Sequence, residues 1–308
     1  MSTIQQKKDL LSRRQLIQTL ALGSLSGLVS AEGAKHSSVR IDCHLHCFAG
    51  RENDRFPYHP NAPYRPADVA SPEHLLSCMA GAGVSNAVVV HPEPYQDDHR
   101  YLRHCLEVGG GKLKGTCLFF ANDPNASSKM RQLARDSSLV AARIHAYAPD
   151  RLPPFGSAEL RELWSTIANL GLAVQLHFEP RYAHHFEPLI REFRDTNVII
   201  DHLGRPFQGT IKEHETVLRW GQYPNTIIKL SAIPEQRQYP HRNIRPVIRR
   251  LVSEFGVGKM IYGGGFGASA TPESYRAAFE RAIGYLDFLS PIEHSKILGE
   301  NAKALFGW

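Results

Sequence analysis

The sequence predicts a (β/α)8 barrel, the TIM-barrel form of the α/β class, as a single domain behind an N-terminal export signal. Three observations predict it. Short β-branched and aromatic runs alternate with longer helical segments from Val39 to the C-terminus. The alternation gives eight strand-like runs, each followed by a helical stretch, which is what such a barrel requires. Histidines recur at the C-terminal ends of these runs, the edge where a barrel of this kind carries its active site. A doubly wound open sheet is the alternative reading of the same alternation.

The strand-like runs are "VRIDCHLH", "NAVVVH", "KGTCLFF", "LVAARIHAY", "LAVQLH", "NVIIDH", "NTIIKLS" and "KMIYGG". Helix signals lie between them. Ser71 is an N-cap followed by Pro72, with the helix running to Gly81; Ser157 is an N-cap with Gly171 as the stop; Thr271-Pro272-Glu273 opens a third helix in the same manner. Residues 49–69, "AGRENDRFPYHPNAPYRPADV", form a long Pro- and Tyr-rich loop after the first strand. A loop of that length in a compact domain points to a functional role, here a lid. No linker or internal repeat divides residues 39–308.

The first 31 residues stand apart. Arg13 and Arg14 precede a mild apolar run and then small residues, the order of a twin-arginine export signal read by a receptor. Val29-Ser30-Ala31 reads as the cleavage site, leaving Glu32 first, and the expected destination is the periplasm or the exterior. A basic tail or an amphipathic anchor is the other reading. The run is too short and too rich in Gly and Ser for a stable membrane span. Residues 1–31 carry Lys7, Lys8, Arg13 and Arg14 against Asp9, so they hold +3 of the formal net charge of +6. What remains is mildly basic, without the Lys/Arg–aromatic clusters of nucleic-acid binding, and suits a small anionic ligand. The five cysteines, Cys43, Cys47, Cys78, Cys105 and Cys117, show no CxxC pair. They read as small buried hydrophobes rather than as a disulfide framework or a structural zinc motif.

His44 and His46 lie two apart at the end of strand one, His177 ends strand five and His202 ends strand six. Four inward-facing histidines can build a metal site, since neutral imidazole suits zinc and its neighbours. By strand parity Asp42 shares the face of His44 and His46 and orients one of them, whereas Asp201 points away from the face of His202. Glu179 is a further carboxylate beside the histidines.

The motifs "IDCHLHCF", "QLHFEP", "DHLGRP", "IIKLS" and the terminal "ILGENAKALFGW" resemble, in that order, the amidohydrolase superfamily, over essentially the whole chain after the signal. "RFPY" at 55–58 is most similar to its pyrone-dicarboxylate lactonase branch. The resemblance implies a hydrolase acting on a small carboxylated lactone or related C–O or C–N bond, by water attack on a carbonyl polarised by a histidine or metal wall. It implies His44, His46 and His177 as ligands of a divalent metal, zinc or manganese, or a metal-free site in the lactonase manner. His177 and His202 are the catalytic candidates; Arg143, Arg205 and Arg237 are the candidate clamps for substrate carboxylates.

One departure from the family pattern bears on turnover. Where the family ends strand eight with an aspartate that serves as general base, this chain reads Gly263-Gly264-Gly265-Phe266, with Gly265 at the aspartate's place. Three readings follow: a hydrolase with its base elsewhere, in His202, Glu179 or a metal-bound water; an impaired enzyme that binds an anionic small molecule; or a glycine cradle for an anion.

Overall fold

The computed structural model describes residues 39–147, 151–233 and 243–308. The signal-like residues 1–31 and the candidate clamp Arg237 lie outside the described residues. The eight predicted strands are all present: β1 Ile41–Leu45, β2 Asn86–Val90, β3 Leu113–Leu118, β4 Leu139–Ala146, β5 Ala173–Phe178, β6 Val198–Ile200, β7 Thr226–Ser231 and β8 Met260–Gly263. They form one parallel sheet in the order β1 through β8, each strand hydrogen-bonded to the next. The ends meet through side chain and backbone: Gly264 N–H donates to the carboxylate of Asp42 at 2.8 Å, tying the end of β8 to β1. A Cβ on Gly263 would lie 2.5 Å from His44 N, so only glycine allows this approach.

Helices follow the strands: α1 Pro72–Ala82, α2 Arg100–Gly109, α3 Ala126–Asp136, α4 Ala158–Asn169, α5 Ala183–Glu192, α6 Ile211–Arg219, α7 Arg245–Phe255 and α8 Pro272–Tyr285. The capping signals act as their chemistry dictates. Ser71, Ser157 and Thr271 each accept a backbone N–H of the first turn of α1, α4 and α8. Gly171 takes the left-handed φ of +67° just past the end of α4. Among the described residues no helix is long and apolar enough to cross a membrane.

The apolar residues divide into two clusters because each strand alternates its faces. One cluster fills the space between sheet and helices. The other holds Ile41, Cys43, Val88, Val90, Ala141, Ala173, Ile199, Ile227 and Ile261, together with Ala302 and Phe306 from the C-terminal helix. It is the floor of the barrel interior, and on β4, β5, β6 and β7 the side chain two residues further along lies one layer nearer the C-terminal mouth. The long loop is pinned rather than loose: Phe48 and Ala70 bridge its ends, Phe56 packs on Tyr101, and Tyr58 packs on Tyr95. All five cysteines are buried and unpaired, in keeping with their reading as small hydrophobes.

Candidate active site

Above the apolar floor the barrel interior turns polar. Gln175 on β5 is register partner to Arg143 on β4, and His177 to His145. Asp201, just past β6, takes Arg143 Nη2 at 3.0 Å and Gln175 Nε2 at 3.0 Å on one carboxylate oxygen. Its other oxygen faces Lys229 Nζ at 3.0 Å and His44 Nδ1 at 3.4 Å. Arg143, Asp201 and Lys229 are 4%, 2% and 1% exposed, so this ionic knot lies out of water. Burial by itself would raise the pKa of Asp201, but Lys229, His44 and Arg143 hold it well below the usual carboxylate range.

Two expectations from strand parity fail here. Asp201 faces the site, because Ile199 is an interior residue and Asp201 follows it by two. His202 reaches the same side because the chain leaves β6 in a left-handed turn: His202, Leu203, Gly204 and Arg205 all have φ between 52° and 67°. Left-handed φ in three non-glycine residues costs on the order of 1–3 kcal/mol each and is concentrated at functional sites. Asp42 fails in the opposite sense. Its carboxylate accepts from Tyr275 of α8, from Gly264 N and from His44 N, so it lies on the helix side of β1. A register irregularity between Asp42 and Leu45 turns His44 into the barrel directly after the interior Cys43.

The four histidines do converge. The ring of His44 lies 5.1 Å from His46 and 4.5 Å from His202, and His202 lies 5.3 Å from His177. Burial lowers all four pKa values, for His44 to about 3 and for His46 to about 4. Burial, Arg143, His145 and Arg205 do the same for His177, and burial and His44 for His202. The wall is therefore neutral imidazole at neutral pH. His46 Nδ1 is held by Val90 O at 2.7 Å, and His202 Nδ1 by Ser231 Oγ at 2.9 Å.

The donor set for a cation differs from the expected one. Ligand atoms of His44, Asp201 and His202 lie within 4.8 Å of one another. His46 and His177, expected beside His44, are not in this set. Two neutral imidazoles and an ionised carboxylate are a fitting donor set for zinc, and the Oδ1 atom of Asp201 is buried without an aligned hydrogen bond. Lys229 would share that oxygen with the ion.

The arginines separate by layer. Arg143, expected to grip substrate, is buried and engaged with Asp201 through Nε and Nη2. Arg205, carried on the left-handed turn, donates from Nε to His177 Nε2 at 2.7 Å and stacks over Tyr147 at 4.6 Å. Tyr147 in turn stacks on His177, with ring centroids 5.2 Å apart.

Behind His177 stand residues the sequence reading left without a role. His177 Nδ1 lies 3.0 Å from His145 Nδ1, and His145 Nε2 lies 3.3 Å from Glu93, which also pairs with Arg151. His145 and Lys229 had a signal available: each lies two residues from an interior position on a strand already recognised. Glu93 follows β2 in a short turn and had none.

Gly265 does not occupy a place from which a side chain would enter the site. Its φ is +109°, and a Cβ there would lie 2.6 Å from the Cβ of Ala278 on α8.

Comparison with known proteins bears on the family and the fold. The family model described as amidohydrolase matches residues 41–308. An L-fucono-1,5-lactonase of Burkholderia ambifaria is 25% identical over 287 residues, covering 86% of this chain and 94% of that protein. The crystal structure of a probable 2-pyrone-4,6-dicarboxylic acid hydrolase from Acinetobacter baumannii, with citric acid bound, superposes with a TM-score of 0.72 at 20% identity, covering 87% of this chain and 99% of that one. An amidohydrolase from Burkholderia multivorans with bound zinc gives a TM-score of 0.67 at 16% identity, over 87% and 99% of the two chains.

Proposed function

The chain belongs to the amidohydrolase family, and from that premise we propose that it hydrolyses a small carboxylated lactone. The observation that carries this reading is the pairing of Arg205 with His177 at the mouth of a neutral histidine wall. The lactonase and dicarboxylic acid hydrolase among the relatives, and the citrate bound by one of them, support the substrate class.

Arg205 caps the lone pair of His177 Nε2 when no substrate is bound. A substrate carboxylate is the stronger partner for a guanidinium, and takes it bidentately. Drawing Arg205 away uncovers Nε2 and removes the positive charge beside it, so His177 gains basicity as substrate binds. His177 Nε2 then accepts a proton from water as the water oxygen attacks the lactone carbonyl carbon. The ring C–O bond breaks, and the proton passes to the departing alkoxide, giving the open hydroxy acid. Ser231 Oγ donates to His202 Nδ1, which leaves His202 Nε2–H to polarise the carbonyl oxygen. In place of that N–H, a divalent ion held by His44, Asp201 and His202 would supply Lewis-acid polarisation of the carbonyl, with His202 then donating Nδ1–H to Ser231 Oγ and offering its other nitrogen to the ion. Arg143 and Lys229 serve as positioning residues that fix Asp201.

The competing reading is a binding protein without turnover, and it rests on the missing carboxylate after β8. Proton release from a panel of carboxylated lactones, with added zinc or manganese and with chelator, separates the two. Ring opening by the wild-type protein, reduced about 10²–10⁴-fold in kcat by His177→Asn, is expected for a histidine base. Saturable binding of the lactones without proton release under any metal condition would establish the binding protein. Export through residues 1–31 to the periplasm belongs to the same proposal; cleavage before Glu32, read by mass spectrometry of the secreted protein, tests it.

A further inference from the structure

A second chamber adjoins the site on the far side of His145. It has a volume of about 430 Å³ and lies at the C-terminal ends of β3 and β4. Phe119, Leu152 and Leu163 give it apolar walls, while Glu93, His145 and Arg151 form one polar corner. None of the mechanistic steps above uses this space. Its volume falls within the range of pockets that hold a ring with substituents.

The polar corner is incomplete. His145 Nε2 is buried and makes no aligned hydrogen bond, although Glu93 Oε1 is 3.3 Å away. The proton on that atom can be placed by elimination. Arg205 only donates, so a neutral His177 accepts at Nε2 and carries its hydrogen on Nδ1. That hydrogen is donated to His145 Nδ1, 3.0 Å away. His145, kept neutral by burial and by Arg143, Arg151 and Arg205, therefore carries its own hydrogen on Nε2. The corner thus offers the N–H of His145 beside a Glu93 carboxylate whose charge Arg151 balances.

A hydroxyl group answers both, accepting from the N–H and donating to the carboxylate. With Glu93 already paired with Arg151, neither a ligand carboxylate nor an ammonium finds an unmatched counter-charge, so neither suits the corner. We infer that this chamber is a second subsite, which takes a neutral ring bearing a hydroxyl group as the distal part of the substrate. The subsite stands on its own geometry; only the statement that its ring belongs to the substrate rests on the lactonase reading.

Resorcinol is the probe and anisole, a ring without a hydroxyl donor, the comparator, with binding to the full chain followed by ligand-observed NMR titration. Resorcinol is expected to bind, and anisole about tenfold more weakly, as loss of a hydrogen bond to a charged group implies. Glu93→Gln, which keeps the shape and removes the charge, should weaken resorcinol by a similar factor. Leu152→Trp, which fills the chamber, should abolish its binding. Failure of resorcinol to bind overturns the inference, as does equal binding of anisole, or affinity within about twofold of wild type in Glu93→Gln. Unchanged binding in a folded Leu152→Trp places the ring elsewhere and overturns it too; should that variant not fold, the anisole and Glu93→Gln comparisons still decide. Lactone turnover is measured on the same samples. Absence of turnover alongside hydroxyl-dependent binding would remove the hydrolase reading and leave the subsite, and turnover without resorcinol binding would do the reverse.

Discussion

Asp201 holds the site together. It is the shared counter-charge of Arg143 and Lys229, all three buried. Removing one partner of such a knot leaves the others charged and out of water, which costs about 3–5 kcal/mol. Asp201→Asn, nearly isosteric, is expected to lower the urea unfolding free energy by that amount; a loss within about 0.5 kcal/mol, typical of surface substitutions, would mean that the knot does not need its charge. Arg205 poses a different question, since its role lies in contact with substrate and with His177 Nε2. A lysine there keeps the charge and loses the planar fork. Arg205→Lys is therefore expected to raise KM for a carboxylated lactone about tenfold or more, the loss of one charge-assisted hydrogen bond, and steady-state kinetics reads it directly. An unchanged KM would take Arg205 out of substrate recognition.

At the level of elements, two strand ends decide the chemistry. The turn after β6 puts three non-glycine residues at left-handed φ, and by doing so brings His202 and Arg205 to the mouth beside Asp201. Strand parity is a rule for continuous strand, and β6 ends at Ile200, so it could not follow the chain through that turn. The end of β8 is the second case. The motif comparison puts Gly265 at the place of the family's aspartate, but the backbone there has φ +109° and aims a Cβ at Ala278. Gly265→Asp is expected to destabilise by roughly 1–3 kcal/mol and to add nothing to turnover. Thermal unfolding and the lactone assay check both halves, and a rise in kcat would show that the turn can rearrange to admit the carboxylate.

Across the whole molecule, buried neutral histidines set the response to acid. His91 and His99 stack at 4.2 Å beside β2 and β3. His99 donates to Asp97 O and accepts from Leu118 N, while His91 bonds Gln96 O. Burial, with smaller opposing hydrogen bonds, lowers His99 from 6.5 to about 4, and burial lowers His91 well below its ordinary value. The unfolded chain therefore binds more protons than the folded one between pH 6.5 and 4, and stability falls as pH falls through that window. His99 alone contributes about 3 kcal/mol across it. Urea midpoints should fall steadily from pH 7 to pH 5, and a flat profile would mean that these rings are protonated in the folded state.

Much of this was legible without coordinates. The eight strands, the capped helices and the four histidines at strand ends follow from periodicity, caps and spacing, which are local properties of the chain. The order of motifs carried the family for the same reason. Lys229 and His145 are also readable, by counting two residues along recognised strands, although each stands as one polar residue in an apolar run. Only the tertiary structure decided the rest. A register irregularity in β1 sends Asp42 to the helices and His44 to the interior; a left-handed turn turns His202 inward beside Asp201; and Asp201 draws Arg143 away from any substrate. Glu93 meets His145 from a turn 52 residues earlier in the chain. These are relations between elements distant in sequence, fixed by which side chains share a buried layer, and a charge in such a layer takes whichever partner the fold places beside it.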